Sequence, residues 1–130
     1  MTLSTLARSI TAASILGVLP LGAAQAGSIA TPVLFKGAGN QIICIANNIT
    51  NQTLNVTVKI IGVLGNDTQT CSLDPNDGGG CQAFRNNDAG YCVISMTGLT
   101  NAQVAVRLRG VLISRRTTSP FTTDAVVQAQ

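Results

Sequence analysis

Alternation of apolar and polar residues with a period of two dominates this chain after its first 26 residues. From Leu54 to Ile61, Leu54, Val56, Val58 and Ile60 fall on one side and Asn55, Thr57 and Lys59 on the other, the spacing of a half-buried strand. Tyr91 to Thr97 alternates in the same way, with Cys92, Ile94 and Met96 opposite Tyr91, Val93 and Ser95. Gln103 to Ser114 reads as the longest strand. In it Val104, Val106 and Leu108 alternate with Arg107 and Arg109 as far as Gly110, where a bulge or a close backbone approach would shift the register. Ile42 to Ala46 is nearly continuous in apolar residues and suits a strand covered on both sides, or one whose Cys44 points inward. Shorter strands are expected at Thr31 to Phe35, where Pro32 restricts the start to an edge or entry position, at Thr68 to Leu73 and at Asp124 to Ala129.

Turn residues separate these segments: Gly37-Ala38-Gly39-Asn40, Gly62 to Gly65 followed by Asn66-Asp67, the loop Asp74 to Gly80, Gly98 to Asn101, and the polar stretch Arg115 to Thr123 around Pro120. No helical stripe occurs beyond the first 26 residues. Many short strands with turns every ten or so residues predict an all-β fold, an antiparallel two-sheet sandwich that is immunoglobulin-like in general architecture, with a small barrel as the alternative. There is no Trp to pack on a bridge between sheets. Tyr91 is adjacent to Cys92 rather than two residues before it, so a tyrosine corner is not indicated.

The first 26 residues follow a different pattern. Arg8 and the free amine make a positive start, Ile10 to Leu21 a short apolar stretch broken by Pro20 and Gly22, and Ala24-Gln25-Ala26 a small-residue cleavage site. This predicts a secretory signal at residues 1–26 and a single exported domain at residues 27–130, secreted or periplasmic. The apolar stretch is too short and too interrupted for a span of roughly 18 or more residues, and Gly27 stands where a lipoprotein would need Cys. All four cysteines (Cys44, Cys71, Cys81 and Cys92) lie beyond the cut, so oxidising conditions make them a disulfide framework.

Composition narrows the chemistry. The part after Ala26 holds seven basic residues against five Asp, a net of +2, which is too small to predict binding to nucleic acid or an anionic membrane. It has no His, Glu or Trp, so triads, Cys-His pairs and paired Glu carboxylates have no general base, and no enzyme activity or cofactor is expected. The cysteine gaps of 26, 9 and 10 residues do not match zinc-ligand spacing. Asp74, Asn76 and Asp77 invite a calcium reading, but Arg85 stands where an EF-hand needs a bidentate Glu, and turn chemistry explains the acids equally well. Asn48, Asn51, Asn55 and Asn66 each begin a glycosylation sequon, in segments otherwise read as polar turns and strand faces. Arg107, Arg109, Arg115 and Arg116 are the candidate surface-binding residues. The first two share a face if their strand is regular, while a solvated face that discourages edge pairing is the ordinary explanation.

The Cys44 segment, the alternating strand Leu54 to Ile61, Tyr91-Cys92-Val93 and the Arg-bearing run Val104 to Arg109 together resemble small exported bacterial β-sandwich proteins of unassigned function. The resemblance implies that Cys44 pairs with Cys92, leaving Cys71 and Cys81 as an additional local bridge. Of the three possible connectivities, this is also the one in which Cys71 and Cys81 close the Gly-rich loop at the smallest entropy cost. The functional expectation is an exported, non-enzymatic sandwich acting through its surface on an unknown protein or envelope partner, with no stable membrane insertion once the signal is cleaved. The alternative is a pilin-like structural subunit assembling by β-strand exchange.

Overall fold

The computed structural model describes residues 26–35, 39–86, 89–118 and 123–129. Nearly all of the expected signal segment, the turn at Gly37-Ala38 and the loop around Pro120 lie outside the described residues. Most of the alternating segments are strands: β1 (Ala26–Ala30), β2 (Leu34–Phe35), β3 (Asn40–Asn48), β4 (Leu54–Gly62), β5 (Gly65–Leu73), β6 (Gly78–Arg85) and β7 (Ala89–Thr97), then a short helix α1 (Asn101–Ala105), β8 (Leu108–Arg116) and β9 (Thr123–Gln128).

All pairings are antiparallel and build two sheets. The first has the order β1-β7-β4-β5, with β2 continuing the β1 edge of β7; the second has the order β6-β3-β8-β9. The inward positions of the period-two pattern meet between the sheets. Ile42, Cys44 and Ala46 of β3, Val56, Val58 and Ile60 of β4, Cys92 and Ile94 of β7, and Leu108 and Leu112 of β8 are all buried in one cluster. This is a two-sheet β-sandwich with two disulfides.

Cys44 and Cys92 join β3 to β7, one inner strand of each sheet, with a Cα–Cα distance of 5.6 Å. Cys71 and Cys81 join β5 to β6, the edge strands on one side of the two sheets, at 5.7 Å. One bridge therefore runs through the core, and the other fastens the side where the sheets would part. Together they use all four cysteines, and such cross-links form and persist in an oxidising environment.

Local structure departs from the sequence expectation at four places. The segment expected to be one strand from Gln103 to Ser114 begins as α1, and β8 starts only at Leu108. A capping box explains the helix: Thr100 Oγ1 accepts from the Gln103 amide at 3.3 Å, and Gln103 Oε1 accepts from the Thr100 amide at 2.8 Å. Val104 is then the buried residue of the helix, while Val106, inward in the strand reading, is 69% exposed. Gly110 causes no register shift against β3; it is a close approach, since a Cβ there would collide with Ile94 and Ala129.

The expected loop Asp74 to Gly80 is shorter than its composition suggests. Gly78 to Gly80 already belong to β6, a strand the pattern did not show, and a register shift in β3 between Ala46 and Asn47 accommodates it. Thr31 to Phe35 is not a single strand: β1 precedes it, and only Leu34–Phe35 pairs with β7 as β2. Thr31 is nevertheless buried, its Oγ1 accepting from the Cys92 amide at 2.9 Å and its own amide donating to the Cys92 carbonyl at 3.0 Å. Arg115 and Arg116, expected in a polar loop, complete β8, whose register runs from Leu108 opposite Asn48 to Arg116 opposite Asn40.

Candidate functional site

The register sorts the exposed apolar residues toward one end of the sandwich. Gly62 pairs with both Gly65 and Gly90, and Phe35 with Ala89, so the β4–β5 turn, β2 and the start of β7 come together. The end of β6 and the end of β8 flank opposite sides of the start of β3, Ile42 facing Arg85 and Gln41 facing Arg115. Among the described residues, eight large apolar side chains are exposed, and five of them belong to this hairpin end: Val33, Phe35, Val63, Leu64 and Phe84.

Val63 and Leu64 form the tip of the β4–β5 hairpin and are 79% and 66% exposed. Turn chemistry does not call for them. Two-residue hairpin turns favour Asn, Asp and Gly because these adopt positive φ at little cost. Here the positive φ falls on Gly65, at 122°, and the two apolar side chains stand outward. Their position is held: the Val63 amide donates to the Ala89 carbonyl at 3.4 Å, and Arg85 Nη2 donates to the Leu64 carbonyl at 3.2 Å. Beside the tip is an open, almost wholly apolar hollow of about 310 Å³ lined by Val33, Ile61, Val63, Ala89, Tyr91 and the neighbouring glycines.

The basic residues join this end through Phe84. Leu64, Phe84 and Arg85 line one hollow with Gln41, and Phe84, Arg115 and Arg116 line the next with Gln41 and Ile43. Arg85 thus stands beside Leu64, and Arg115 and Arg116 stand beside Phe84. Asp67 is turned to a structural task there, its Oδ2 accepting from the Phe84 amide at 2.9 Å.

The four candidate arginines therefore do not make one stripe. Arg115 and Arg116 lie at the hairpin end. Arg107 precedes β8 at the opposite, helix end, and Arg109 is bound to structure there, its Nη1 donating to the carbonyls of Ala105 and Leu108, the former at 2.6 Å. Arg85, outside the candidate set, completes the group in their place. Its membership depends on β6 pairing with β3, which no local pattern around it disclosed.

At the helix end the sequon residue Asn48 is 2% exposed and acts as a hub. Its Nδ2 donates to the carbonyls of Gln52 at 2.7 Å, Asp74 at 3.0 Å and Leu73 at 3.2 Å. Its Oδ1 accepts from Thr50 Oγ1 at 2.8 Å and from the Thr50 amide at 2.9 Å. The Asn48 amide donates to the Asp77 carbonyl at 3.0 Å, which ties the Asp74 to Asp77 segment to β3. Asn76 takes the left-handed conformation of that turn, at φ 57°. The acidic loop of the calcium reading is thus a turn knitted to Asn48.

The outer faces of the two sheets also differ. Across the first sheet the register aligns Ser28, Ser95, Thr57 and Thr70, and the Thr57 and Thr70 hydroxyls lie 3.2 Å apart. Across the second it aligns Phe84, Ile43, Ile113 and Val126, an apolar band that begins at the hairpin end. Comparison with protein-family models, with curated proteins and with solved structures matches none of them to this chain.

Proposed function

We propose that the protein is an exported binding module that acts through the hairpin end of its sandwich, with residues 1–26 removed as a secretory signal and the mature domain secreted or periplasmic. The observation that carries this reading is the gathering of Val33, Phe35, Val63, Leu64 and Phe84 in solvent beside Arg85, Arg115 and Arg116. Apolar side chains scattered singly over a surface need no explanation, whereas a contiguous group rimmed by charge is characteristic of an interaction site. The disulfides support the same reading, because a core bridged at Cys44–Cys92 and an edge fastened at Cys71–Cys81 keep the presented turn in place without a large aromatic core.

Two measurements test it. A photoreactive residue at Val63 should yield adducts in the native host, while one at Thr70, on the hydroxyl face, should yield few; equal labelling from both positions would remove the hairpin end as the site. The intact mass of the mature protein should begin at Gly27, and a species retaining Met1 would overturn export with cleavage. Strand exchange has less support. β9 is paired with β8, and β1 and β2 both pair with β7, so donating any of these strands would break pairing within its own sheet.

A further inference from the structure

We infer that the outer face of the second sheet is covered by a second copy of this chain, the two faces packing about a twofold axis that runs along the strands between β3 and β8.

That face departs from what a sandwich in water needs. A sheet with one side on the core and the other in solvent alternates apolar residues inward with polar residues outward. The first sheet follows the rule with its outer row of Ser28, Ser95, Thr57 and Thr70. The second does not. Its outward positions carry Phe84 on β6, Ile43 and Ile45 on β3, Val111 and Ile113 on β8 and Val126 on β9, side by side on adjacent strands. Phe84 and Val126, at the two sides, are 44% and 54% exposed, whereas Ile43 near the middle is shielded by its neighbours to 3%. Burial on association therefore falls mostly on the flanks of the patch.

Register makes the face its own complement. Across β6, β3, β8 and β9 one row reads Phe84, Ile43, Ile113, Val126 and the next reads Gln82, Ile45, Val111, Gln128. On the two inner strands Gln41 beside Arg115 precedes these rows, and Asn47 beside Arg109 follows them. Each row thus has the same chemistry on both sides of the line between β3 and β8, except that β3 has an amide where β8 has an arginine. A twofold interface demands this kind of self-complementarity, since whatever one copy presents it also receives. Rotation about that line lays β3 over β8 of the second copy and β6 over its β9. Phe84 then meets Val126, Ile43 meets Ile113, Ile45 meets Val111, and Gln82 meets Gln128. Arg115 lies over Gln41 and Arg109 over Asn47, so no arginine faces another. An axis across the strands fails at the same positions. It sets Phe84 over Gln82, Val126 over Gln128 and Arg115 over Arg109, and like charges juxtaposed in an interface oppose association.

Area agrees with a dimer. The strands β6, β3, β8 and β9 have 8, 9, 9 and 6 residues. At about 3.4 Å per residue and about 4.8 Å between strands they cover about 500 Å² in plan. Two such faces supply about 1,000 Å² before the relief of the side chains is added, which reaches the size of a specific interface. Sheets stacked face to face stay aligned to within about 30°, so the rows remain nearly superposed at the centre. Val63 and Leu64 sit on the hairpin of the first sheet, outside this contact. Because the axis runs along the strands, both hairpin ends of the dimer face the same way; on the reading of that end as the binding surface, the dimer is bivalent.

The test uses the full chain. In sedimentation equilibrium from about 1 µM to about 500 µM the parent protein should pass from one copy to two, as suits an interface near the lower size limit. Val126→Lys sets an ammonium group against Phe84 of the second copy and should lower the association constant by at least about tenfold. Phe84→Ala, which keeps the backbone amide that Asp67 accepts from, should lower it by about tenfold without adding charge. Both variants should keep the parent's circular dichroism spectrum. Thr70→Lys, on the hydroxyl face of the first sheet, should associate like the parent, which separates this contact from association through the apolar N-terminal segment. In a mixture of isotope-labelled and unlabelled protein, a photoreactive residue at Val126 should cross-link to a peptide containing Phe84, with one label from each copy.

A parent protein that stays single at the highest concentration, or association indifferent to both Val126→Lys and Phe84→Ala, would overturn the inference. So would a cross-link from Val126 only to a different protein of the host, which would assign the face to a foreign partner. The hairpin reading is decided separately: capture at Val63 without self-association leaves that reading alone standing, and self-association without capture at Val63 leaves the dimer alone.

Discussion

The two ends of the sandwich solve the same problem in opposite ways. Each must turn several strands around and leave backbone groups and side chains at a boundary with water. At the helix end Asn48 gathers the carbonyls of Gln52, Leu73 and Asp74, α1 is capped by Thr100 and Gln103, and Arg109 covers the last helical carbonyl. At the hairpin end the backbone is equally well held, by Arg85 on Leu64 and by the Gly62–Gly65 pairing, yet the side chains set on it are apolar and exposed. The hairpin end is not a poorly made version of the helix end. Its order is spent on presenting surface, which is why it carries the proposed function.

This contrast can be broken or sharpened by substitutions. The largest effect should come from the bridge that ties the two sheets together. Replacing Cys44 and Cys92 together by Ala frees a loop of 49 residues and should cost about 4 kcal/mol in the chain-entropy account, roughly 1 kcal/mol more than removing the local Cys71–Cys81 bridge. Urea denaturation of the two double variants checks the order, and equal losses would show that loop length does not set the worth of the two bridges.

Asn48→Ala should come next, at about 3 kcal/mol, because it leaves one buried and two partly buried carbonyls at the helix end without their donor. Hydrogen exchange should then quicken around Asp74 to Asp77 before it does at the hairpin end; uniform quickening would argue against a local hub. A smaller loss, about 1 kcal/mol, is expected for Thr100→Ala, which removes the cap of α1.

The smallest effect should fall on the hairpin end. Val63→Ser with Leu64→Ser replaces the exposed apolar pair by polar residues that the turn's backbone accepts without positive φ, and should change stability by no more than about 0.5 kcal/mol. A loss above about 1 kcal/mol in thermal or urea unfolding would mean that the tip serves the fold, and the comparison between the ends would lose its basis.

Much of the fold was readable where its cause is local. The strand at Leu54 to Ile61 and the one at Tyr91 to Thr97 follow from period two, since a pleated strand puts alternate residues on one face wherever it sits. The pairing of Cys71 with Cys81 follows from the short loop between them, and Cys44 with Cys92 is the remainder. The miss at Asn101 to Ala105 had a local signal too. Thr100 followed three residues later by Gln103 is a capping box, and the valines at 104 and 106 masked it by continuing the strand alternation. β6 had no such signal, because three consecutive glycines read as a loop until a partner strand supplies their hydrogen bonds.

By itself the sequence determined that this is an all-β chain with a bridged core, because alternation, turn residues and loop length act over a few neighbouring positions. Only the tertiary structure decided where its chemistry lies. Arg107 and Arg109, two residues apart, are withdrawn to the helix end, while Arg85 is carried to Leu64 and Arg115 and Arg116 to Phe84 from distant parts of the chain. The physical reason is that side chains on different strands meet through interstrand register, and register is set by how the two sheets bury their inward faces together, a condition no single segment contains.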